Sequence, residues 1–158
     1  MATKTKILAI SSPGGHWIQL NKICNKLEGQ FDVVYATPGA QYKSFAPSSA
    51  KKRNKKVYAI IDASADSKLN LVPLTLQIAW ILLRERPNTI VSTGAAPGVM
   101  AILLCKFLPI KTIWVDSIAN VNILSRSGRM VKKHASLVVT QWQGLSDEQR
   151  IFYRGSVL

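Results

Sequence analysis

Lys6-Ile7-Leu8-Ala9-Ile10-Ser11-Ser12-Pro13-Gly14-Gly15-His16 is the stretch that decides the fold. The apolar run Lys6–Ile10 ends in a loop of small residues. Trp17, Leu20, Ile23, Cys24 and Leu27 then recur at helical spacing as far as Gly29. A strand, a glycine-rich turn and a helix in immediate succession open a βαβ unit. Glycine lets backbone approach a ligand closely, and hydroxyls and helix N-terminal amides donate to phosphate oxygens. Ser11, Ser12, Gly14 and Gly15 are therefore candidate anion-binding residues, with His16 at the head of the helix.

Working outward, the same punctuation returns once. Thr89–Ser92 reads as a strand, and Ser92-Thr93-Gly94-Ala95-Ala96-Pro97-Gly98 opens a helix from Val99 to Leu108. This adds Ser92, Thr93, Gly94 and Gly98 to the candidates. Between the two loops lie a strand at Phe31–Ala36, stopped by Thr37-Pro38-Gly39, and a polar stretch from Ser44 to Lys56. A strand at Val57–Ile61 and an apolar helix from about Asn70 to Arg84 follow. Beyond them come a strand at Lys111–Val115, a loop at Asp116–Asn122, a basic helix at Ile123–Lys133, a strand at Leu137–Thr140 and a short tail. Strands that alternate with helices, each a near-continuous β-branched run, imply an α/β fold. The expectation is a Rossmann-like doubly wound parallel sheet of about six strands. Ligands of such sheets bind beyond the strand carboxyl ends, where strand order reverses, and strands one and four flank that point. Both loops should face one crevice.

At 158 residues, with 47% hydrophobic content, the chain reads as a single domain, 1–158, with one sizeable core. Lysine and arginine number 21 against 8 acidic residues, a formal charge of +13, which points to an anionic partner. Five of those cations crowd between Lys51 and Lys56, including Lys51, Lys52 and Arg53. A nucleic-acid partner is disfavoured, because no recognised motif or aromatic-interleaved basic patch accompanies the charge. Cys24 and Cys105 sit in apolar helical contexts and read as reduced core residues, which fits a cytoplasmic setting. The start of the chain shows no apolar signal region, and no run reaches the ~18–20 apolar residues of a membrane span. The Leu69–Leu83 segment suits burial against the sheet, or a position in a membrane interface.

Several chemistries are excluded by spelling. The glycines of the first loop are adjacent rather than spaced as Gly-x-Gly-x-x-Gly, the second strand ends Tyr35-Ala36-Thr37 without an acid, and no Walker lysine follows either loop. Binding of NAD or ATP by this chain is disfavoured, and so is any cofactor of its own. No His, Cys or Asp cluster has metal-ligand spacing, and no Gly-x-Ser-x-Gly elbow occurs. His16 is a candidate general base, or a loop-shaping residue. Asp116, at the end of strand five, is the one carboxylate placed to share the crevice, to orient His16 or a sugar hydroxyl, or to cap a turn. His134, beside Lys132 and Lys133, reads as structural.

Taken together, Gly14-Gly15-His16, the Ser92–Gly98 loop, Asp116-Ser117, Ser125 to Gly128, Val139-Thr140-Gln141-Trp142 and Tyr153-Arg154-Gly155 resemble the Alg-type oligosaccharide-biosynthesis family. That family includes the PssD/CpsF-like subunits of bacterial exopolysaccharide and capsule synthesis, and the similarity covers nearly the whole chain. The resemblance implies the N-terminal, acceptor-side half of a split GT-B glycosyltransferase. Its partner, a PssE/CpsG-like subunit, would supply the C-terminal domain and hold the UDP-sugar. MurG, an undivided relative, is similar in its paired glycine-rich loops. The implied reaction is inverting transfer from a UDP-sugar to a lipid-diphosphate-linked saccharide, with the two loops and Ser117 on the acceptor diphosphate, His16 and Asp116 catalytic, no metal, and no activity in this chain alone. The alternative is a non-catalytic recruiter that brings the partner to the membrane. The resemblance further implies a peripheral place on the cytoplasmic face of the inner membrane. Lys51, Lys52, Arg53, Arg84 and Arg86 would meet anionic lipid there, at about 1 kcal/mol per basic residue. Gln141, Trp142 and Tyr153 are candidate contacts to the partner subunit, with core packing as the other reading. Where many relatives carry glutamate before the serine after strand five, this chain has Asp116.

Overall fold

The computed structural model describes residues 4–39, 56–63 and 68–157. Its short apolar runs become seven strands: β1 Lys6–Ser11, β2 Asp32–Pro38, β3 Val57–Ile60, β4 Thr89–Gly94, β5 Lys111–Val115, β6 Leu137–Thr140 and β7 Ile151–Tyr153. All pair in parallel in the order β3-β2-β1-β4-β5-β6-β7. The reversal of strand order falls between β1 and β4. Their register is regular from Ile7 opposite Thr89 to Ile10 opposite Ser92, then slips so that Ser11 faces Gly94. The slip draws the two glycine loops together at the carboxyl ends of the strands.

The helices among the described residues are α1 Gly15–Leu27, α2 Leu71–Glu85, α3 Ala96–Leu104 and α4 Arg126–Val131. Strand alternation sends Leu8, Ile10, Val34, Ala36 and Ile60 to one face, against Leu74, Ile78, Ile81 and Leu82 of α2 and Ala101 of α3. Ile7, Ala9, Val33, Tyr35 and Val91 point the other way, onto Trp17, Leu20 and Cys24 of α1. Trp17 and Tyr35 meet edge to face with ring centroids 5.7 Å apart. Both cysteines are buried.

Two features depart from the sequence reading, and a third sharpens it. The tail forms a seventh strand, β7, because Ile151 reaches the core beside Trp114, Val138 and Val131. The expected helix at 123–133 shortens to α4, since Ser125 takes the N-cap and its Oγ accepts from the amide of Gly128 at 2.8 Å. In α2, burial and exposure coexist. Leu74, Ile78, Ile81 and Leu82 are buried, while Leu69 in the preceding turn, Val72, Leu76, Trp80 and Leu83 form an exposed stripe, Leu76 at 67% and Leu83 at 76%. A helix apolar on nearly every side offers more surface than the sheet can cover.

At the amino ends of the strands, Glu85 is 5% exposed and accepts from Lys6 Nζ at 3.1 Å, and also from Lys56 Nζ and the Tyr58 hydroxyl. Burial works to raise its pKa, but the hydrogen bonds from Lys56, Tyr58 and Lys6 outweigh that and hold it down at about 2.

One sheet face is incompletely covered by the described residues. Trp114, Val138 and Ile151 pack toward α3 and α4, so Leu137, Val139 and Phe152 point to the α1 side. There they stay half-exposed, and among the described residues α1 is the sole helix in that layer's core. A groove of about 550 Å³ runs between Ile23 and Leu27 of α1 and Val115 and Val139 of the sheet, with Lys22, Lys26 and Arg154 at its margin.

Candidate functional site

The two glycine loops touch. The Ser12 amide donates to the Gly94 carbonyl at 3.0 Å, and Thr93 Oγ1 donates to the carbonyl of His16 at 2.7 Å. Gly94 has φ +129°, and a Cβ there would sit 2.7 Å from His16 Nδ1 and Cε1. Only a bare α-carbon admits the imidazole at this position. The His16 ring thus lies directly over the second loop, as the crevice expectation required.

Gly14, the N-cap of α1, has φ +80° and no side-chain cap. Helix geometry leaves the amides of Gly15 and His16 without intrahelical acceptors, at the positive end of a helix of 13 residues. Gly14 and Gly15 are exposed, and Ser12 and His16 are half-buried. His16 Nδ1 is buried and has no hydrogen-bond partner among the described residues. Buried nitrogens are nearly always satisfied, which singles this atom out where the two loops meet.

The remaining loop candidates are supports rather than walls. Ser11, Ser92 and Thr93 are fully buried. Ser11 Oγ donates to the Ser12 carbonyl at 3.1 Å, and Ser92 Oγ accepts from the Gly94 amide at 3.2 Å. Gly98 is buried against Ser92, whose Oγ would lie 1.9 Å from an added Cβ. The surface offered to a ligand is therefore Ser12 through His16, together with half-buried Ala95 and Ala96.

Asp116 is 1% exposed, and its carboxylate is committed elsewhere. Oδ1 accepts from Trp114 Nε1 at 3.0 Å and from Ser125 Oγ at 2.5 Å, and Oδ2 accepts from the Ser125 amide at 2.8 Å. Gly128 packs on this cluster, where a Cβ would come within 2.7 Å of Asp116 Oδ1. Of the roles open to Asp116, these bonds show the last: the carboxylate anchors the turn into α4, and among the described residues it makes no bond to His16 Nδ1. Ser117 is half-buried and its Oγ accepts from the Ala119 amide at 3.3 Å.

Of the expected partner contacts, Gln141 is 4% exposed and fully engaged inside the protein, so its side chain is no surface contact. Trp142 and Tyr153 are half-buried, Trp142 donating through Nε1 to the Ile118 carbonyl at 2.7 Å. Arg84 and Arg86 are exposed at the end of α2, with the Arg84 guanidinium 5.2 Å above the Trp80 ring. Lys51, Lys52 and Arg53 lie outside the described residues. Sequence reasoning missed Gln19, which bonds Gln141 across 122 residues. The available signal was a polar pair, Gln141-Trp142, at the carboxyl end of a strand near the reversal point.

Comparison with known proteins starts from this geometry. The family model described as oligosaccharide biosynthesis protein Alg14 like matches residues 12–157, which takes in both glycine loops and β7. The chain belongs to the Alg14-like family. Membership places it among proteins of oligosaccharide biosynthesis. Among solved structures it is similar to MurG of Acinetobacter baumannii, at 11% identity and a TM-score of 0.76, covering 94% of this chain and 45% of that one. A UDP-GlcNAc 2-epimerase from Methanocaldococcus jannaschii matches at 17% identity and a TM-score of 0.67, again over 94% and 45%. A glycosyltransferase from Rickettsia africae matches at 14% and 0.63, over 98% and 43%. At these identities the likeness is one of fold, the N-terminal half of a GT-B architecture, and this Alg14-like chain spans less than half the length of each. No curated protein matches the chain. No helix among the described residues is long and apolar enough to cross a membrane.

Proposed function

We propose that this chain is a single acceptor-binding domain, residues 1–158, and one half of a two-component inverting glycosyltransferase in polysaccharide synthesis. It takes a lipid-diphosphate-linked saccharide, while a PssE/CpsG-like subunit holds the UDP-sugar. The observation that carries the reading is His16, set over Gly94 where two glycine loops meet, with a ring nitrogen that no group among the described residues satisfies. Ser12, Gly14 and Gly15 offer backbone and hydroxyl donors to the diphosphate beside it. His16 takes the proton of the attacking acceptor hydroxyl as the new glycosidic bond forms and the sugar–UDP bond breaks. Transfer without a metal ion is part of this reading, and activity of the reconstituted pair is expected to persist in EDTA.

The exposed stripe of α2, with Arg84 and Arg86 at its end, supports peripheral attachment to anionic lipid on the cytoplasmic face of the inner membrane. The decisive assay reconstitutes the chain with its partner, UDP-sugar and lipid-linked acceptor. His16→Ala is expected to lower kcat by about 10²-fold or more while leaving the complex and its membrane binding intact. A kcat within a few fold of wild type would make the chain a non-catalytic recruiter.

A further inference from the structure

Behind His16, one side chain joins four segments of the chain. Gln141, the residue after β6, is 4% exposed. Its nitrogen donates to Gln19 Oε1 at 2.6 Å and to the Asp116 carbonyl at 2.9 Å, and its oxygen accepts from the Val157 amide at 3.1 Å. Both donors and the acceptor are occupied, and the partners dictate which end is nitrogen. Gln19 lies three residues beyond His16, on the same side of α1. The same Gln19 oxygen accepts from the Ile118 amide at 3.4 Å, and the Ile118 carbonyl accepts from Trp142 Nε1 at 2.7 Å. Lys22, also on α1, donates to the Val157 carbonyl at 3.2 Å. The helix that carries His16, the loop after β5, the end of β6 and Val157 therefore share one part-buried node centred on the buried Gln141 side chain. Withdrawing any one of them strands a buried amide group, which makes their positions interdependent.

We propose that Gln141 is a positioning residue through which the docking of residues 155–157 sets the placement of His16 and of the loop after β5. The functional meaning rests on the acceptor-site reading above, but the coupling itself does not. Whatever engages residues 155–157, a partner subunit first of all, is then read out at His16 without touching it. A side chain that only filled space would be replaced by methionine, similar in length and flexibility, without consequence.

The test uses the full-length ¹⁵N-labelled chain as wild type, Gln141→Met, Val157→Pro and the double variant, followed by amide resonances and hydrogen exchange. Val157→Pro deletes a single N–H and leaves Gln141 in place. Each single substitution is expected to shift the His16 and Ile118 resonances and to speed Ile118 exchange about tenfold, the equivalent of one net hydrogen bond. The double variant is expected to do no more than either single. Titration with inorganic pyrophosphate should weaken about fivefold in each single variant, with no further loss in the double. Shifts confined to residues 155–157 in Val157→Pro, or effects that simply add in the double, overturn the proposal. Should Gln141→Met fail to fold, Val157→Pro alone still decides it. Failure of the wild type to bind pyrophosphate would strike the acceptor reading, while the resonance comparison continues to judge the coupling.

Discussion

Gly94 carries φ +129° with the imidazole of His16 where its Cβ would stand, so two separate constraints meet at one residue. Gly94→Ala is expected to cost about 2 kcal/mol of stability, from backbone strain together with displacement of the ring. Urea unfolding measures the cost, and the His16 ring resonances report the displacement; an unshifted ring would show that the contact is unimportant. Gly14-Gly15-His16 could be read from the sequence as an exposed loop, because adjacent glycines before a helical period have few other uses. The roles of Ser92, Thr93 and Gly98 could not. Composition marks a residue as able to bond phosphate, but whether a hydroxyl faces outward or holds up its own loop depends on the slip between Ile10 and Ser11. The turn-capping role of Asp116 could be named from the sequence but not chosen, for a related reason. Its partners, Trp114 and Ser125, are close in sequence, yet only the folded turn into α4 brings three donors onto one carboxylate.

At the scale of elements, α2 carries two predictions. Its outward stripe should partition into anionic vesicles, each leucine adding about 2 kcal/mol when fully buried. Leu76→Glu with Leu83→Glu is expected to lower vesicle binding about tenfold or more in a flotation assay while leaving the fold intact, since both side chains are already exposed. On the buried side of the helix's carboxyl end, Glu85→Gln removes the negative charge and one of the two acceptor oxygens that hold two lysines, and is expected to cost about 2 kcal/mol at pH 7. Because the folded carboxyl is held below its ordinary value, this contribution is present above about pH 4.5 and fades toward about pH 2. Urea titrations across that range should show wild type and variant converging; a constant gap would assign the loss to packing instead. The strand–helix alternation behind these elements was legible because parallel strands buried on both faces read as unbroken β-branched runs. β7 was not legible: Ile151–Tyr153 is only three residues long and becomes a strand through its pairing with Val138, Val139 and Thr140.

For the molecule as a whole, the thinly covered face of β5, β6 and β7 is what a half-enzyme would leave for its counterpart. Val139→Glu is expected to leave the chain folded, since Val139 is half-exposed, and to weaken association with the partner subunit about tenfold or more by calorimetry. Lys22, Lys26 and Arg154 at the groove margin should make that association salt-sensitive, as expected for an acidic counterpart. The strand order has a further consequence, for the order of events on the ribosome. A nascent chain extended only as far as β3 already holds β1, β2 and β3, yet one edge of β1 stays unpaired until Thr89–Gly94 emerges. Leu8 and Ile10, which end in the deepest part of the core, are meanwhile beside an open apolar edge, the kind that recruits strands from other chains. Synthesis that stalls between β3 and β4 therefore leaves β1 as an open apolar edge, and the arrival of β4, which builds half of the His16 crevice, is also what closes it.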